Sequence, residues 1–236
     1  MENLYKENIR HISMKKYFYV RITKCACQTV YHDIYKNDER FIKPVLTGPS
    51  PSPRSPIDKK LLLSESDFVY HHSPENFIFS FVRNPFDRAV SSYVYCKREK
   101  TINRDVSFLD FLELSSHLIK KHSEELNSAE LLIKRHVMPQ IDWLTENKTP
   151  ICDYVGKIEH LKDHVAELDK ILKVNKERKI TRRNSSRPKG DVYSAYYTKK
   201  EIDIVKQIYS QDLVRFKYSF GEKEDENSES FQNRNY

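Results

Sequence analysis

The sequence FIFSFVRNPFDRAVSSYVY, residues 77–95, joins a strand pattern directly to a helix pattern. Its first six residues are almost continuously apolar, which is typical of a strand at the centre of a parallel sheet. Pro85 is well suited to the first turn of a helix, and four apolar residues follow it at helical spacing. We therefore predict a strand over 77–82 and a helix that begins at Pro85.

Strand and helix patterns alternate along the rest of the chain. Aromatic and β-branched residues predict further strands over 17–23 and 154–158. Apolar residues at helical spacing predict helices over 108–118, 124–135, 161–172 and 199–208. The alternation predicts an α/β fold with three layers and a central parallel sheet, of the P-loop-like kind.

The chain length favours a single domain. A chain of 236 residues can bury one substantial core, which we place in residues 1–220. Five prolines within 44–58 predict an insertion loop at the surface. Residues 221–236 are charged and amide-rich, and we expect this tail to be disordered.

Composition narrows the class of protein. No segment approaches the roughly 18 apolar residues that cross a bilayer, and the N-terminus shows no secretory signal, so we expect a cytoplasmic protein. The four cysteines do not form paired C-x-x-C motifs, which favours reduced thiols and no structural metal. The net charge of +7 favours acidic partners such as nucleotides or anionic glycans.

The hexapeptide KCACQT, residues 24–29, follows the predicted strand over 17–23 and precedes a short helix pattern. Backbone N–H groups at such a junction attract anions, and Lys24 adds a positive charge. The segment contains no glycine and does not match G-x-x-x-x-G-K-S/T, which argues against an ordinary kinase.

Arg83 and Ser91 form a second candidate anion site. Arg83 ends the strand over 77–82, and Ser91 lies two turns into the helix that follows. A guanidinium fork and a hydroxyl can together hold a phosphate. Two anion sites at the ends of neighbouring parallel strands suit a nucleoside with phosphates at both ends.

Five segments resemble motifs of one enzyme family, the Golgi-type and bacterial carbohydrate sulfotransferases. FVRNPFDRAVSSY (81–93) resembles their 3′-phosphate motif, and residues 24–29 resemble their 5′-phosphosulfate loop. HVMPQ (136–140) resembles a His-x-x-Pro-Gln segment, and YSQDLVRFKY (209–218) resembles the closing Tyr-x-x-Asp-x-x-x-Phe-x-Tyr helix. CDYVGKIE (152–159) resembles the Tyr-Asp-x-x-Gly-Lys-x-Glu region of the chondroitin and dermatan 4-O-sulfotransferase group, which is the subgroup that the chain resembles most.

The resemblance implies sulfuryl transfer from 3′-phosphoadenosine 5′-phosphosulfate to a hydroxyl of a sugar or glycan, neutral or anionic, with no metal required. Lys24 would bind the 5′-phosphosulfate and neutralise the leaving phosphate, while Arg83 and Ser91 would hold the 3′-phosphate. Gln28 departs from the Thr or Ser usual at its position, although its amide can donate a hydrogen bond. The implied donor-binding set is Lys24, Cys25, Ala26, Cys27, Gln28, Thr29, Arg83, Ser91 and, in a basic loop, Arg183 and Ser186.

The acceptor hydroxyl needs a base, and a histidine is the natural choice near neutral pH. His71 and His72 lie just upstream of the strand over 77–82, where related enzymes carry theirs, and His71 is favoured. His136 is a rival base or an acceptor-side residue. Glu159 is a candidate acceptor-binding carboxylate, with a structural ion pair as the alternative.

Three other functions stay open at this stage. Gln28 leaves room for a relative that binds nucleotide without transferring sulfate. A kinase-like P-loop protein would share the scaffold but lacks its phosphate-loop motif. A nucleic-acid-binding module fits the basic segment 178–187 but lacks a recognised binding motif.

Overall fold

A computed structural model describes residues 16–30, 41–42, 76–146, 149–175, 180, 192–221 and 231–232. The predicted insertion loop at 44–58 lies outside the described residues. Of the predicted tail, the structure describes Gly221 and a two-residue strand at 231–232. No helix among the described residues is long and apolar enough to cross a membrane.

Seven strands are described. In chain order they are β1 (Lys16–Val20), β2 (Phe41–Ile42), β3 (Asn76–Val82), β4 (Thr145–Glu146), β5 (Thr149–Pro150), β6 (Tyr154–Lys157) and β7 (Phe231–Gln232). Five of them form one sheet in the order β2-β1-β3-β6-β7, in which the first four run parallel and β7 pairs antiparallel with β6. β4 and β5 form a separate antiparallel pair.

Eight α-helices are described. They are α1 (Cys27–Thr29), α2 (Pro85–Arg98), α3 (Phe108–Lys120), α4 (Ser128–Val137), α5 (Ile141–Leu144), α6 (Leu161–Ile171), α7 (Lys199–Ile208) and α8 (Ser210–Arg215). The prediction of an α/β fold with a central parallel sheet is confirmed.

Strand β3 forms the centre of the sheet, and all seven of its residues are buried. Because side chains alternate along a strand, Phe79 and Phe81 pack on one face of the sheet with Val165 and Leu168 of α6. The opposite face packs against α5 and the residues that follow α8. Both faces are therefore covered, as the apolar sequence of β3 requires.

Gly156 of β6 lies directly against β3. A Cβ at this position would lie 2.7 Å from the ring of Phe81 and 3.0 Å from the Cβ of His164. A larger residue would push apart the sheet and α6, so glycine is needed here for close approach.

Most sequence-predicted elements lie within a few residues of their observed bounds, and two differ for clear reasons. The helix predicted over 124–135 begins instead at Ser128, because Asn127 accepts hydrogen bonds from the N–H groups of Ala129 and Glu130 and caps it there. The strand predicted over 17–23 ends at Val20. Thr23 has left the sheet, and its carbonyl accepts a hydrogen bond from Arg88 at 3.1 Å.

Candidate functional site

The two predicted anion-binding segments lie side by side at the carboxyl edge of the sheet. β1 and β3 are parallel neighbours, so the segments that follow them leave the sheet at the same edge. The guanidinium Nη1 of Arg83 donates a hydrogen bond to the carbonyl of Lys24 at 3.1 Å. This bond joins the segment 24–29, here called the lysine loop, to the segment 83–91, here called the arginine turn.

The lysine loop has an unusual backbone. Lys24 and Ala26 have φ values of 65° and 51°, in the left-handed region that non-glycine residues rarely adopt. Ala26 is the N-cap of α1 and carries no side-chain acceptor for the first N–H groups of that helix. A left-handed residue followed by a helical turn aims successive N–H groups toward one point, which is an arrangement that binds anions.

The side chain of Lys24 lies against an aromatic ring. Its Nζ is 4.4 Å from the centre of the Tyr95 ring, within the range of a cation–π interaction. Burial, followed by the nearby charge of Arg83, lowers the pKa of Lys24 to about 8. The site therefore holds a lysine whose charge changes near neutral pH.

The other residues of the lysine loop fall into two groups. Ala26, Cys27 and Gln28 are partly exposed, whereas Cys25 and Thr29 are buried. Burial raises the pKa of the Cys25 thiol to about 12, so this thiol stays protonated and donates to a neighbouring amide. Backbone groups and the exposed side chains of the loop are thus the parts that a ligand can reach.

The arginine turn begins a long helix. Asn84 caps α2 by accepting a hydrogen bond from the N–H of Phe86 at 3.0 Å, and Pro85 occupies the first helical position. The Nε and Nη2 atoms of Arg83 contact one carboxylate oxygen of Asp87 at 2.7 and 2.6 Å. Ser91 is one helical turn beyond Asp87 and is 3% exposed.

The contacts of Arg83 leave part of its guanidinium group for a ligand. Asp87 and the Lys24 carbonyl engage three of the five guanidinium N–H groups. Each terminal nitrogen then retains one N–H that can donate to a phosphate oxygen. Asp87, in the first turn of α2, fixes the orientation of the Arg83 guanidinium group.

Two residues that the sequence analysis did not assign lie beneath both segments. The side chain of Gln140 exchanges two hydrogen bonds with the backbone of Arg83, each 2.8 Å long. Asp212 accepts from the backbone N–H groups of Gln140 and Ile141, at 2.8 Å each. Gln140 lies in HVMPQ (136–140) and Asp212 lies in YSQDLVRFKY (209–218). Both segments resemble family motifs, and this resemblance is the signal that could have identified the two residues.

Arg88 is a third residue that the sequence analysis did not assign. It is 1% exposed and donates to the carbonyls of Thr23 at 3.1 Å and Met138 at 2.8 Å. Ser92, on the same helix, donates to the carbonyl of His136 at 2.9 Å. These bonds attach α2 to the end of β1 and to the C-terminal end of α4.

His136, predicted to bind the acceptor, supports the ring beneath Lys24. Its imidazole stacks on Tyr95 with ring centres 4.6 Å apart, and its Nδ1 lies 2.8 Å from the carbonyl of Leu132. Burial lowers the pKa of His136 to about 3, so the ring is neutral at physiological pH. Stacking on Tyr95 is the role that these contacts support for His136.

Glu159, also predicted on the acceptor side, braces the arginine turn. One carboxylate oxygen accepts from the N–H of Asn84 at 2.7 Å, and the other accepts from the hydroxyl of Tyr218 at 2.9 Å. Burial raises the pKa of this carboxyl group. Both oxygens accept hydrogen bonds from uncharged protein groups, so these contacts support a structural role for Glu159, and the ion pair that the sequence left open stays a prediction.

Four predicted site residues lie outside the described residues: His71, His72, Arg183 and Ser186. The structure therefore describes part of the predicted donor side, namely residues 24–29 and 83–91.

The fold and this edge of the sheet define an α/β protein with lysine, arginine and helix N–H groups gathered at the ends of two parallel strands. The model of the sulfotransferase family matches residues 10–219. The chain therefore belongs to the sulfotransferase family, as the motifs predicted. No curated protein and no solved structure matches the chain.

Proposed function

We propose that this protein transfers a sulfuryl group from 3′-phosphoadenosine 5′-phosphosulfate to a hydroxyl of a carbohydrate. The observation that carries the proposal is the hydrogen bond between Arg83 and the carbonyl of Lys24, which holds two anion-binding segments together. A ligand with phosphates on both sides of a nucleoside matches two such segments. Family membership supports sulfuryl transfer as the reaction.

At the 5′ end of the donor, Lys24 and the N–H groups of 26–29 would bind the phosphosulfate. The S–O bond to the phosphate breaks while a new S–O bond forms to the acceptor oxygen. Negative charge then develops on the leaving phosphate, where the Lys24 ammonium and the fixed N–H groups stabilise it. The leaving group departs as 3′-phosphoadenosine 5′-phosphate.

At the 3′ end, Arg83 and Ser91 would hold the phosphate and so select this donor over nucleotides without it. The remaining N–H groups of Arg83 and the Ser91 hydroxyl would supply the donors, since Asp87, which holds Arg83, lies one helical turn before Ser91 on α2. Arg183 and Ser186 would close over the nucleotide from the basic loop at 182–190.

The proton of the acceptor hydroxyl would pass to His71, with His72 as the neighbouring alternative. His136 is unsuited to this role because burial keeps its pKa near 3 and its ring is stacked on Tyr95. Replacing His71 with Ala should leave donor affinity unchanged and reduce turnover about 100-fold or more. Full activity in that variant would assign the base to His72.

The first test is calorimetric titration of 3′-phosphoadenosine 5′-phosphate into the purified protein. ATP and adenosine 5′-phosphate are the controls. Selective binding that depends on Arg83 and Lys24 supports the donor site, and transfer of labelled sulfate to a panel of sugars then identifies the acceptor class.

Three other outcomes would overturn the proposal. Binding of ATP with magnesium, without binding of the bisphosphate, would indicate a kinase-like protein. Salt-sensitive binding of nucleic acid alone would indicate a nucleic-acid-binding module. Donor binding without transfer to any sugar would indicate a relative that has lost catalysis.

A further inference from the structure

Gln140 contacts the lysine loop and the arginine turn with one side chain. Its Oε1 accepts from the backbone N–H of Arg83 at 2.8 Å and from the thiol of Cys25 at 3.2 Å. Its Nε2 donates to the carbonyl of Arg83 at 2.8 Å. The residue is completely buried, so these bonds are shielded from water.

Asp212 fixes which way the Gln140 amide points. One carboxylate oxygen of Asp212 accepts from the backbone N–H of Gln140 at 2.8 Å and from its Nε2 at 3.3 Å. A carboxylate accepts hydrogen bonds, so the amide nitrogen must face it. Oε1 is then directed at Arg83 and Cys25, and the amide cannot flip without losing bonds at both ends.

The network sets the backbone of Arg83 where β3 has ended. Inside the sheet, the N–H and carbonyl of a residue pair with a neighbouring strand. At Arg83 the Gln140 amide supplies both partners. Hydrogen bonds to Gln140, instead of pairing within the sheet, therefore fix the backbone position of Arg83.

We propose that Gln140 is a positioning residue for donor binding, which couples the lysine loop to the arginine turn so that both phosphates are bound at once. The inference rests on the proposed function, because the donor is the ligand with phosphates at both ends. Gln140 acts through Arg83 and Cys25 and does not itself contact the donor.

The decisive variant is Gln140→Met, which keeps a similar length and removes both amide partners. The backbone N–H and carbonyl of Arg83 then lose their hydrogen bonds to residue 140. The backbone position from which the Arg83 guanidinium extends is no longer fixed. We expect the affinity for 3′-phosphoadenosine 5′-phosphate to fall about 30-fold or more, since the two buried hydrogen bonds to the Arg83 backbone are lost together with those to Cys25 and Asp212. The affinity for adenosine 5′-phosphate should fall less, because the Arg83 side chain contributes little to that ligand.

The ratio of these two affinities separates positioning from general destabilisation. The ratio is the affinity for 3′-phosphoadenosine 5′-phosphate divided by the affinity for adenosine 5′-phosphate, so it measures the contribution of the 3′-phosphate. We expect this ratio to fall about tenfold in Gln140→Met. The matched control is Tyr209→Phe, which keeps the ring and removes a buried hydrogen bond of 2.7 Å to the carbonyl of Val137, a residue that belongs to neither segment. Tyr209→Phe should lower the melting temperature and leave the ratio unchanged.

A second variant covers the case in which Gln140→Met does not fold. Asp212→Asn keeps the side-chain shape but replaces one carboxylate oxygen with an NH₂ group, so an acceptor for either Gln140 or Ile141 is lost. We expect it to lower the ratio about three- to tenfold by disturbing the amide orientation.

The outcomes are distinguishable by calorimetry and thermal unfolding. If the wild-type protein does not bind the bisphosphate, the proposed function fails and the inference fails with it. If the wild-type protein binds it and the folded variants keep the wild-type affinity ratio, the inference alone is overturned. A lower melting temperature with an unchanged ratio would make Gln140 a structural residue only.

Discussion

The lysine loop and the arginine turn occupy the same edge of the sheet but are built in opposite ways. The lysine loop has two non-glycine residues with positive φ, Lys24 and Ala26, and leads into a helix of three residues. The arginine turn has none among residues 83–91, and it leads into a helix of 14 residues with an Asn84 cap and Pro85 at its start.

The difference shows where each conformation is encoded. Cap, proline and periodicity start the α2 helix of the arginine turn locally, while Gln140 and Glu159 fix the backbone of Arg83 and Asn84 from distant parts of the chain. The lysine loop is held by bonds from elsewhere in the chain, from Arg83 to the Lys24 carbonyl and from the Cys25 thiol to Gln140. Strained backbone of this kind persists when the surrounding structure determines it.

The largest expected effect comes from the residue that joins the two segments. Arg83→Ala removes the bond to the Lys24 carbonyl and the guanidinium donors that we propose for the 3′-phosphate. Each hydrogen bond to a charged group contributes about 1.5–3 kcal/mol, so affinity for 3′-phosphoadenosine 5′-phosphate should fall at least about 100-fold. Calorimetric titration measures this loss.

Arg104→Ala is the charge-matched control, because Arg104 is exposed in the connection between α2 and α3. Its donor affinity should stay within about threefold of wild type, as is usual for an exposed charge. Equal losses in the two variants would mean that net charge, and not the Arg83 geometry, attracts the donor.

Donor affinity should also depend on pH through Lys24. With a pKa of about 8, the Lys24 ammonium is present at pH 7 and lost as the pH rises. Phosphate groups are already ionised in this range, since their second pKa is about 6. Affinity should therefore be about tenfold weaker at pH 9 than at pH 7, with proton uptake on binding near pH 8.

Lys24→Arg provides the control for the pH dependence. Arginine stays protonated throughout this range, so the variant should show a flat profile between pH 7 and pH 9. Wild-type affinity that stays level up to pH 9 would show that Lys24 keeps its charge or does not contact the donor.

A smaller effect is expected at the helix cap of the arginine turn. Asn84→Ala removes the cap on Phe86 and the bond from Nδ2 to the Ser219 carbonyl. We expect a loss of about 1–2 kcal/mol in the free energy of unfolding and about threefold weaker donor binding. Denaturant unfolding and calorimetry measure the two effects.

Ser107→Ala removes the corresponding cap of α3, which lies outside both segments. It should cost about 1 kcal/mol in stability and leave donor affinity unchanged. If Asn84→Ala also leaves affinity unchanged, the cap stabilises the fold without shaping the site.

The same contrast explains what the sequence could predict. Pro85 and the apolar run before it predict β3, α2 and the position of Arg83 because their signals lie within a few residues. The α/β fold follows from repetition of such local patterns. Residue type and position likewise predict Arg83 and Ser91 as anion ligands, and this stays a prediction.

The supporting residues could not be predicted in the same way. Gln140 and Asp212 are 72 residues apart, and the hydrogen bonds between them depend on how α5 and α8 pack beneath the sheet. The sequence leaves Glu159 open between an acceptor-binding carboxylate and a structural ion pair, and its hydrogen bonds to Asn84 and Tyr218 become visible only in the folded chain. Local sequence patterns do not show which side chains contact each other when the residues are far apart in the chain.

The smallest expected effect is on stability, and it compares the backbones of the two segments directly. The same Ala→Gly change should destabilise the arginine turn but not the lysine loop. Ala26 has φ 51° and ψ 23°, a conformation that costs an L-residue about 1–2 kcal/mol and costs glycine little. Ala26→Gly should therefore leave stability unchanged or raise it by up to about 1 kcal/mol, after the greater freedom of glycine in the unfolded chain is subtracted. Ala89→Gly, in the buried middle of α2, should lower stability by about 1 kcal/mol or more. Denaturant unfolding of the two variants measures both effects, and equal destabilisation would show that the lysine loop is not held in the left-handed conformation.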